Sequence, residues 1–220
     1  MTRRILGLVL ATTLTASCDN EQPPIGCPVQ SLEWAATYRP VGTSTCAVKH
    51  GEQLGIQKFT RPTGEERLII KPETLATLEA SEDVNVNVGF AQGVLSTETD
   101  VPGFCSSTDV TVIGQSTGTP GPAAVDITYA WSNIRMSSTP QAPGTQMIAN
   151  LEYTEAGCTA QYEVWAMWPA VACGTEEDGT AGEPDNSICA NAGSINPDFA
   201  TTCDPDALLC VPARRPPSLK

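Results

Sequence analysis

The chain reads as mainly β: an antiparallel β-sandwich-like domain followed by a loop-rich, disulfide-stapled C-terminal tail. Three observations in its 220 residues predict this. Apolar residues alternate with polar ones instead of recurring at helical spacing, which is the period of half-buried strands. Clusters such as "STGTPGPA" and "STPQAPGT" cut that alternation into short runs. Nine cysteines accompany a single histidine and no C-x-x-C pair, so sulfur bridges are expected and a structural metal is not.

The N-terminus begins with Arg3 and Arg4 and continues as "ILGLVLATTLTAS", uncharged from Ile5 to Ser17. A bilayer-spanning helix needs roughly 20 apolar residues, so residues 1–17 fit a cleaved signal peptide better than a membrane helix. Thr15, Ala16 and Ser17 then lead into Cys18. Small residues running into a cysteine at this place resemble the lipobox of bacterial lipoproteins. Thr15 stands where that motif usually has leucine, and Leu14 is one place early. The resemblance implies lipidation of Cys18 through a diacylglyceryl thioether, removal of the leader and acylation of the new amino terminus. One acyl chain holds a membrane marginally, while two or more hold it firmly. In enteric bacteria, an aspartate after that cysteine resembles an inner-membrane retention signal, and Asp19 occupies the position. Other phyla sort differently, so outer and inner membrane both stay open. The alternative is an ordinary signal peptide cut near Ala16 or Ser17, which would leave Cys18 a free or intermolecular thiol. Residues 18–30 carry "DNEQPPIG" and suit a flexible acylated tether.

Residues 31–173 form the expected β domain. "SLEWAATYR" puts Leu32, Trp34, Ala36 and Tyr38 on one face. "KPETLATLEA" is the one helical stretch, with Pro72 at its start and Leu75 and Leu78 three apart. "EDVNVNVGF" sends Val84, Val86, Val88 and Phe90 inward, "STDVTVIG" continues the alternation, and "AAVDITYAWSNIRM" aligns Val125, Ile127, Tyr129 and Trp131. "TQMIANLEYTEAGCTAQYEVWAMW" reads as a hairpin turning through Glu155, Ala156 and Gly157, where glycine tolerates a left-handed turn conformation. Its second arm gives Cys158, Ala160, Tyr162, Val164, Ala166 and Trp168 one parity, so a buried disulfide at Cys158 is expected. Residues 174–220 lose all periodicity and hold three cysteines, the pattern of a tail that needs staples of about 3 kcal/mol each. The segments "WPAVAC" and "INPDF" to "CDPDALLCVP" are similar to lipoproteins of myxobacteria-type organisms, a resemblance that brings no activity with it.

With Cys18 assigned to lipid, Cys27, Cys46, Cys105, Cys158, Cys173, Cys189, Cys203 and Cys210 are an even set of disulfide candidates. Four bridges fit an oxidising, extracytoplasmic compartment, and spacing leaves their pairing open. Loss of the leader takes Arg3 and Arg4 away, leaving 10 basic against 25 acidic residues and a net charge of −15. Such a surface repels phosphate backbones, so nucleic acid is excluded as a partner.

Candidate chemistry is sparse. Gly114, Gln115, Ser116, Thr117 and Gly118 spell G-x-S-x-G, yet Pro120, Gly121 and Pro122 forbid the helix a nucleophile elbow requires, and His50 precedes the serine. His50 is read as a surface loop residue. Glu176, Glu177, Asp178, Glu183 and Asp185 are an acidic loop without calcium-loop spacing, better explained by solvation. Trp131 and Trp168 are assigned to the core, while Trp165, of opposite parity to Trp168, can face outward toward a sugar. The resulting expectation is a lipid-anchored cell-envelope protein, non-catalytic and without cofactor or metal, that binds an unknown protein or glycan ligand through its β domain or serves structurally. The alternative is a secreted or anchored hydrolase acting on polysaccharide or peptide.

Overall fold

A computed structural model describes residues 26–80, 89–115, 126–177 and 180–220, without the side chains of residues 115, 175–177, 180 and 181. The leader, Cys18, most of the tether, Val84, Val86, Val88, Ser116 and Asp178 therefore lie outside the described residues.

The strands come in the order β1 (Leu32–Pro40), β2 (Gly51–Thr60), β3 (Glu66–Pro72), β4 (Ala91–Leu95), β5 (Phe104–Thr108), β6 (Ile113–Gln115), β7 (Ile127–Thr139), β8 (Ala142–Glu155) and β9 (Cys158–Met167), with helix α1 (Glu73–Ala80) between β3 and β4. Each neighbouring pair is antiparallel. Pairing runs β5-β4-β3-β2-β1-β9-β8-β7, and β5 also pairs with β7, so eight strands close into a barrel. This corrects the sandwich expected from the alternation. Period-two patterning says which residues face a core, but not whether the sheet stacks on a second one or curls onto itself. Curling is decided by long, bent strands. β7 and β8 span 13 and 14 residues, and their ladder slips between Ser132 and Arg135 and again between Met136 and Ser138. Such bulges bend a strand and sharpen its twist, bringing Phe104–Ser107 of β5 against Ile134–Ser137 of β7. Closure pairs both ends of the eight-strand ladder and leaves only the three-residue β6 as an edge strand of this sheet among the described residues, which limits pairing with other chains.

The interior is filled with side chains, as expected at this strand number. Trp34, Leu54, Ile56, Leu68, Ile70, Leu75, Tyr129, Ile134, Met136 and Met147 are all buried in it. α1 lies across one end, with Leu75 as its buried plug.

Several local expectations change. β2, β3 and β4 were not anticipated. "STDVTVIG" is not one strand, because Asp109, at φ 53°, turns the chain between β5 and β6. Phe90 is exposed rather than inward. Leu32, the first residue of β1, is also exposed. Cys158 has the parity of buried residues but sits at the barrel rim beside the hairpin turn and is exposed, bridged to Cys46 of the equally exposed β1–β2 loop.

The eight cysteines pair as Cys27–Cys105, Cys46–Cys158, Cys173–Cys203 and Cys189–Cys210. The tail is built from β10 (Gly174–Glu177), β11 (Thr180–Pro184), α2 (Asn186–Asn191), β12 (Thr201–Cys203) and β13 (Cys210–Pro212). It wraps the outer face of β1 and β9. Leu209 and Val211 cover Ala35, while Cys173, Cys189 and Phe199 pack with Ala142 and Met167. The Thr37 hydroxyl donates to the buried Asp204 carboxylate at 2.8 Å.

Candidate functional site

Two arrangements in the barrel collect polar chemistry. The first is interior. β2 begins with "GEQLGI", in which Glu52 shares the inward parity of Leu54 and Ile56. A carboxylate on an apolar face is costly unless it is fully partnered. Here the Tyr38 and Tyr129 hydroxyls donate to Oε1 at 3.0 and 2.8 Å, and the Thr74 amide of α1 donates to Oε2 at 2.8 Å. Lys49 Nζ lies 3.2 Å from Oε1, donates to the Thr74 hydroxyl, and is 5.4 Å from the centre of the Tyr153 ring. Burial pushes the Tyr38 and Tyr129 hydroxyls far above the usual tyrosine range, and the neighbouring Glu52 charge adds to it. Both stay protonated and donate. The cluster therefore pins β1, β2, β7 and the start of α1 together at one barrel mouth. Aromatic rings surround it, with Tyr38 edge-on to Trp131 and Tyr129 stacked on Trp131.

The second arrangement is a cleft of about 390 Å³ in the barrel wall, where β5 and β6 diverge along β7. β6 pairs with Ile127–Tyr129 and β5 with Ile134–Ser137, leaving a gap at Ala130–Asn133. Ser107, Asp109, Trp131, Ser132, Asn133 and Arg135 are on its walls. A second cleft, of about 350 Å³, adjoins it at Ser132 and is lined by Asn150, Glu152, Gln161 and Glu163 on the outer faces of β8 and β9.

Of the residues singled out from the sequence, Trp131 is buried and Trp168 packs partly buried against the core. Trp165 is half-buried outside the barrel, with the Arg39 guanidinium 3.9 Å above its ring and its indole N–H donating to Glu163. His50 is half-exposed, with Nδ1 2.9 Å from the Asp206 carboxylate of the tail. Ser116 lies outside the described residues, so the G-x-S-x-G stretch has no placed nucleophile. In the acidic loop, Asp185 caps α2 by accepting from the Ser187 amide at 2.7 Å. Cys173, Cys189 and Cys210 bring their sulfurs within 4.8 Å of one another, but each is spent in a disulfide and none is a thiolate ligand. Glu52, Lys49 and Ser107 escaped the sequence reading. The available signal was a charge at inward parity in "GEQLGI", which becomes informative once β2 is recognised.

Comparisons with known proteins give this chain a family. The model of the MlpA family matches residues 32–169, from the start of β1 to just past the end of β9. A Myxococcus xanthus protein, MlpA, whose name provisionally makes it a lipoprotein, is 34% identical over 245 aligned positions covering 100% of both chains. No solved structure matches. The similarity to lipoproteins of myxobacteria noted in the sequence thus extends over the whole length, and the chain belongs to the MlpA family.

Proposed function

We propose that this chain is a lipid-anchored protein of the cell envelope whose barrel is a non-catalytic binding module. One observation carries the anchor: four disulfides consume Cys27, Cys46, Cys105, Cys158, Cys173, Cys189, Cys203 and Cys210, so of the nine cysteines only Cys18 is left, and it follows the small residues of a lipobox. A relative named as a lipoprotein supports the reading. The barrel supports a binding role because its described interior is lined with buried apolar and aromatic side chains while its wall carries polar clefts, on a closed scaffold that can hold loops in place. The test is metabolic labelling with an alkyne fatty acid, together with intact mass of the protein extracted from membranes. Label on the wild type, lost in Cys18→Ser along with membrane retention, is the expected result. An unlabelled chain of peptide mass alone would overturn it.

The pairing of His50 Nδ1 with Asp206 favours a second reading, a hydrolase, since that contact orients an imidazole as a general base. Hydrolysis of a peptide or polysaccharide substrate by the wild type and not by His50→Ala would establish it in place of the non-catalytic one.

A further inference from the structure

Among the described residues five buried side-chain polar atoms have no hydrogen-bond partner, in Ser107, Trp131, Ser137, Thr139 and Thr145, and the first two belong to the walls of the same cleft. Ser107 is 5% exposed and Trp131 4%, and neither the Ser107 hydroxyl nor the Trp131 indole N–H has a hydrogen-bond partner. Buried donors without partners are rare in folded proteins and call for something that satisfies them. Position makes this more than a packing defect. Gly93 on β4 leaves the Ser107 hydroxyl its room, since a Cβ there would stand 2.4 Å from that oxygen. The cleft is also held open by backbone that the chain adopts at a cost. Asn133 and Asp109, on facing walls, both have positive φ, at 49° and 53°. Asn133 lies within the β7 bulge between Ser132 and Arg135. Non-glycine residues in this conformation and bulges of this kind gather at binding sites.

The lining chemistry selects the ligand. Ser106, Ser107, Thr108 and Ser132 offer hydroxyls, Asn133 an amide and Trp131 an indole donor. Among the described residues the one cation on the cleft walls is already paired, and the carboxylates beside it keep a negative character. Arg135 is paired with Asp100 and lies over the Phe104 ring, and in the adjoining cleft Glu163 is paired with Arg215 while Glu152 accepts from Gln161. Among the described lining residues an anionic ligand finds no free cation. Asp109 supplies a carboxylate of the kind that accepts from two neighbouring hydroxyls. At about 390 and 350 Å³, the two clefts fall in the size range of small-molecule sites. We infer that the cleft where β5 and β6 diverge along β7 binds a neutral saccharide, with the Ser107 hydroxyl and the Trp131 indole N–H hydrogen-bonding its ring hydroxyls and the adjoining cleft receiving a second sugar unit. This deepens the binding role proposed above and does not depend on the lipid.

The test is isothermal titration calorimetry of the full-length protein in a detergent without a sugar headgroup, against cellobiose, maltose and diacetylchitobiose, with glucuronic acid and glucosamine as charged comparisons. Saturable binding of a neutral disaccharide is expected. Ser107→Ala should weaken it about tenfold, the loss of one hydrogen bond, without lowering the melting temperature, because it removes a hydroxyl that has no protein partner. Ser132→Phe, a substitution on the exposed side of β7, should block the cleft mouth and abolish binding. Absence of heat for all three neutral sugars up to roughly 10 mM, preference for a charged sugar, or binding indifferent to both substitutions would each overturn the inference. The fatty-acid label on Cys18 is read separately, so failure here leaves the anchor standing.

Discussion

Glu52 shows what one residue can demand of a fold. Its carboxylate sits inside an aromatic barrel mouth, where two tyrosine hydroxyls, a helix amide and the Lys49 ammonium all face it. Removing it takes an acceptor from three buried donors and the counter-charge from Lys49, which among the described residues keeps only the Thr74 hydroxyl as a hydrogen-bond partner. Glu52→Ala should therefore cost about 3–5 kcal/mol, measured by urea unfolding followed in the near-UV circular dichroism. Glu52→Gln keeps an acceptor for the hydroxyls and should cost clearly less. Two surface carboxylates carry a pH dependence of their own. Burial alone would raise the Asp100 carboxyl, but the Phe104 amide and Arg135 outweigh it and hold it below its ordinary range. Glu163 is likewise lowered, with burial overcome by Arg215 and the Trp165 indole. A folded-state value below the unfolded one adds stability that is fully present above the unfolded value, around pH 4, and disappears as pH falls through the folded value. Stability should thus hold from neutral pH down to about pH 5 as far as these two groups are concerned, and fall below it. In Asp100→Asn/Glu163→Gln that acid limb should be shallower, as read from thermal melts across the pH series.

At the scale of elements, the β8–β9 hairpin was legible because its signals are adjacent in the chain. Ala156 and Gly157 both take positive φ, at 50° and 78°, in a two-residue turn that matches the right-handed twist of the strands. Glycine accepts this freely, but alanine does not. Ala156→Asn should stabilise the protein by about 0.5 kcal/mol, since asparagine tolerates the left-handed region better, and the midpoint of urea unfolding will show it. α1 was legible for the same local reason, with Leu75 and Leu78 on one side. β2 to β4 were not. "GEQLGIQKFT" dilutes its apolar parity with two glycines and an inward glutamate, and the residues that justify Glu52 come from β1, β7 and α1, far away in sequence.

For the whole molecule, the tail is docked on the barrel and held in shape by its own staples. Its apolar contacts are few, and two disulfides, Cys173–Cys203 and Cys189–Cys210, close loops of 30 and 21 residues within it. Each such loop contributes about 3 kcal/mol. Replacing all four cysteines by alanine should release residues 174–220 to limited proteolysis while the barrel, held by its closed ladder and by Cys27–Cys105, keeps its protease resistance. Cleavage of the barrel at the same rate would show that the two do not unfold separately.

Alternation, turn residues and an even set of cysteines behind Cys18 are local properties, and from them the sequence alone determined the antiparallel β class, the hairpin, the single barrel helix and a cysteine-bridged tail. Closure of β5 onto β7, the pairing of the sulfurs, the burial of Glu52 and the unpartnered groups beside the cleft were decided only by tertiary structure. Each depends on groups distant in the chain meeting in space, and period-two patterning records the face a side chain takes without recording what stands opposite it.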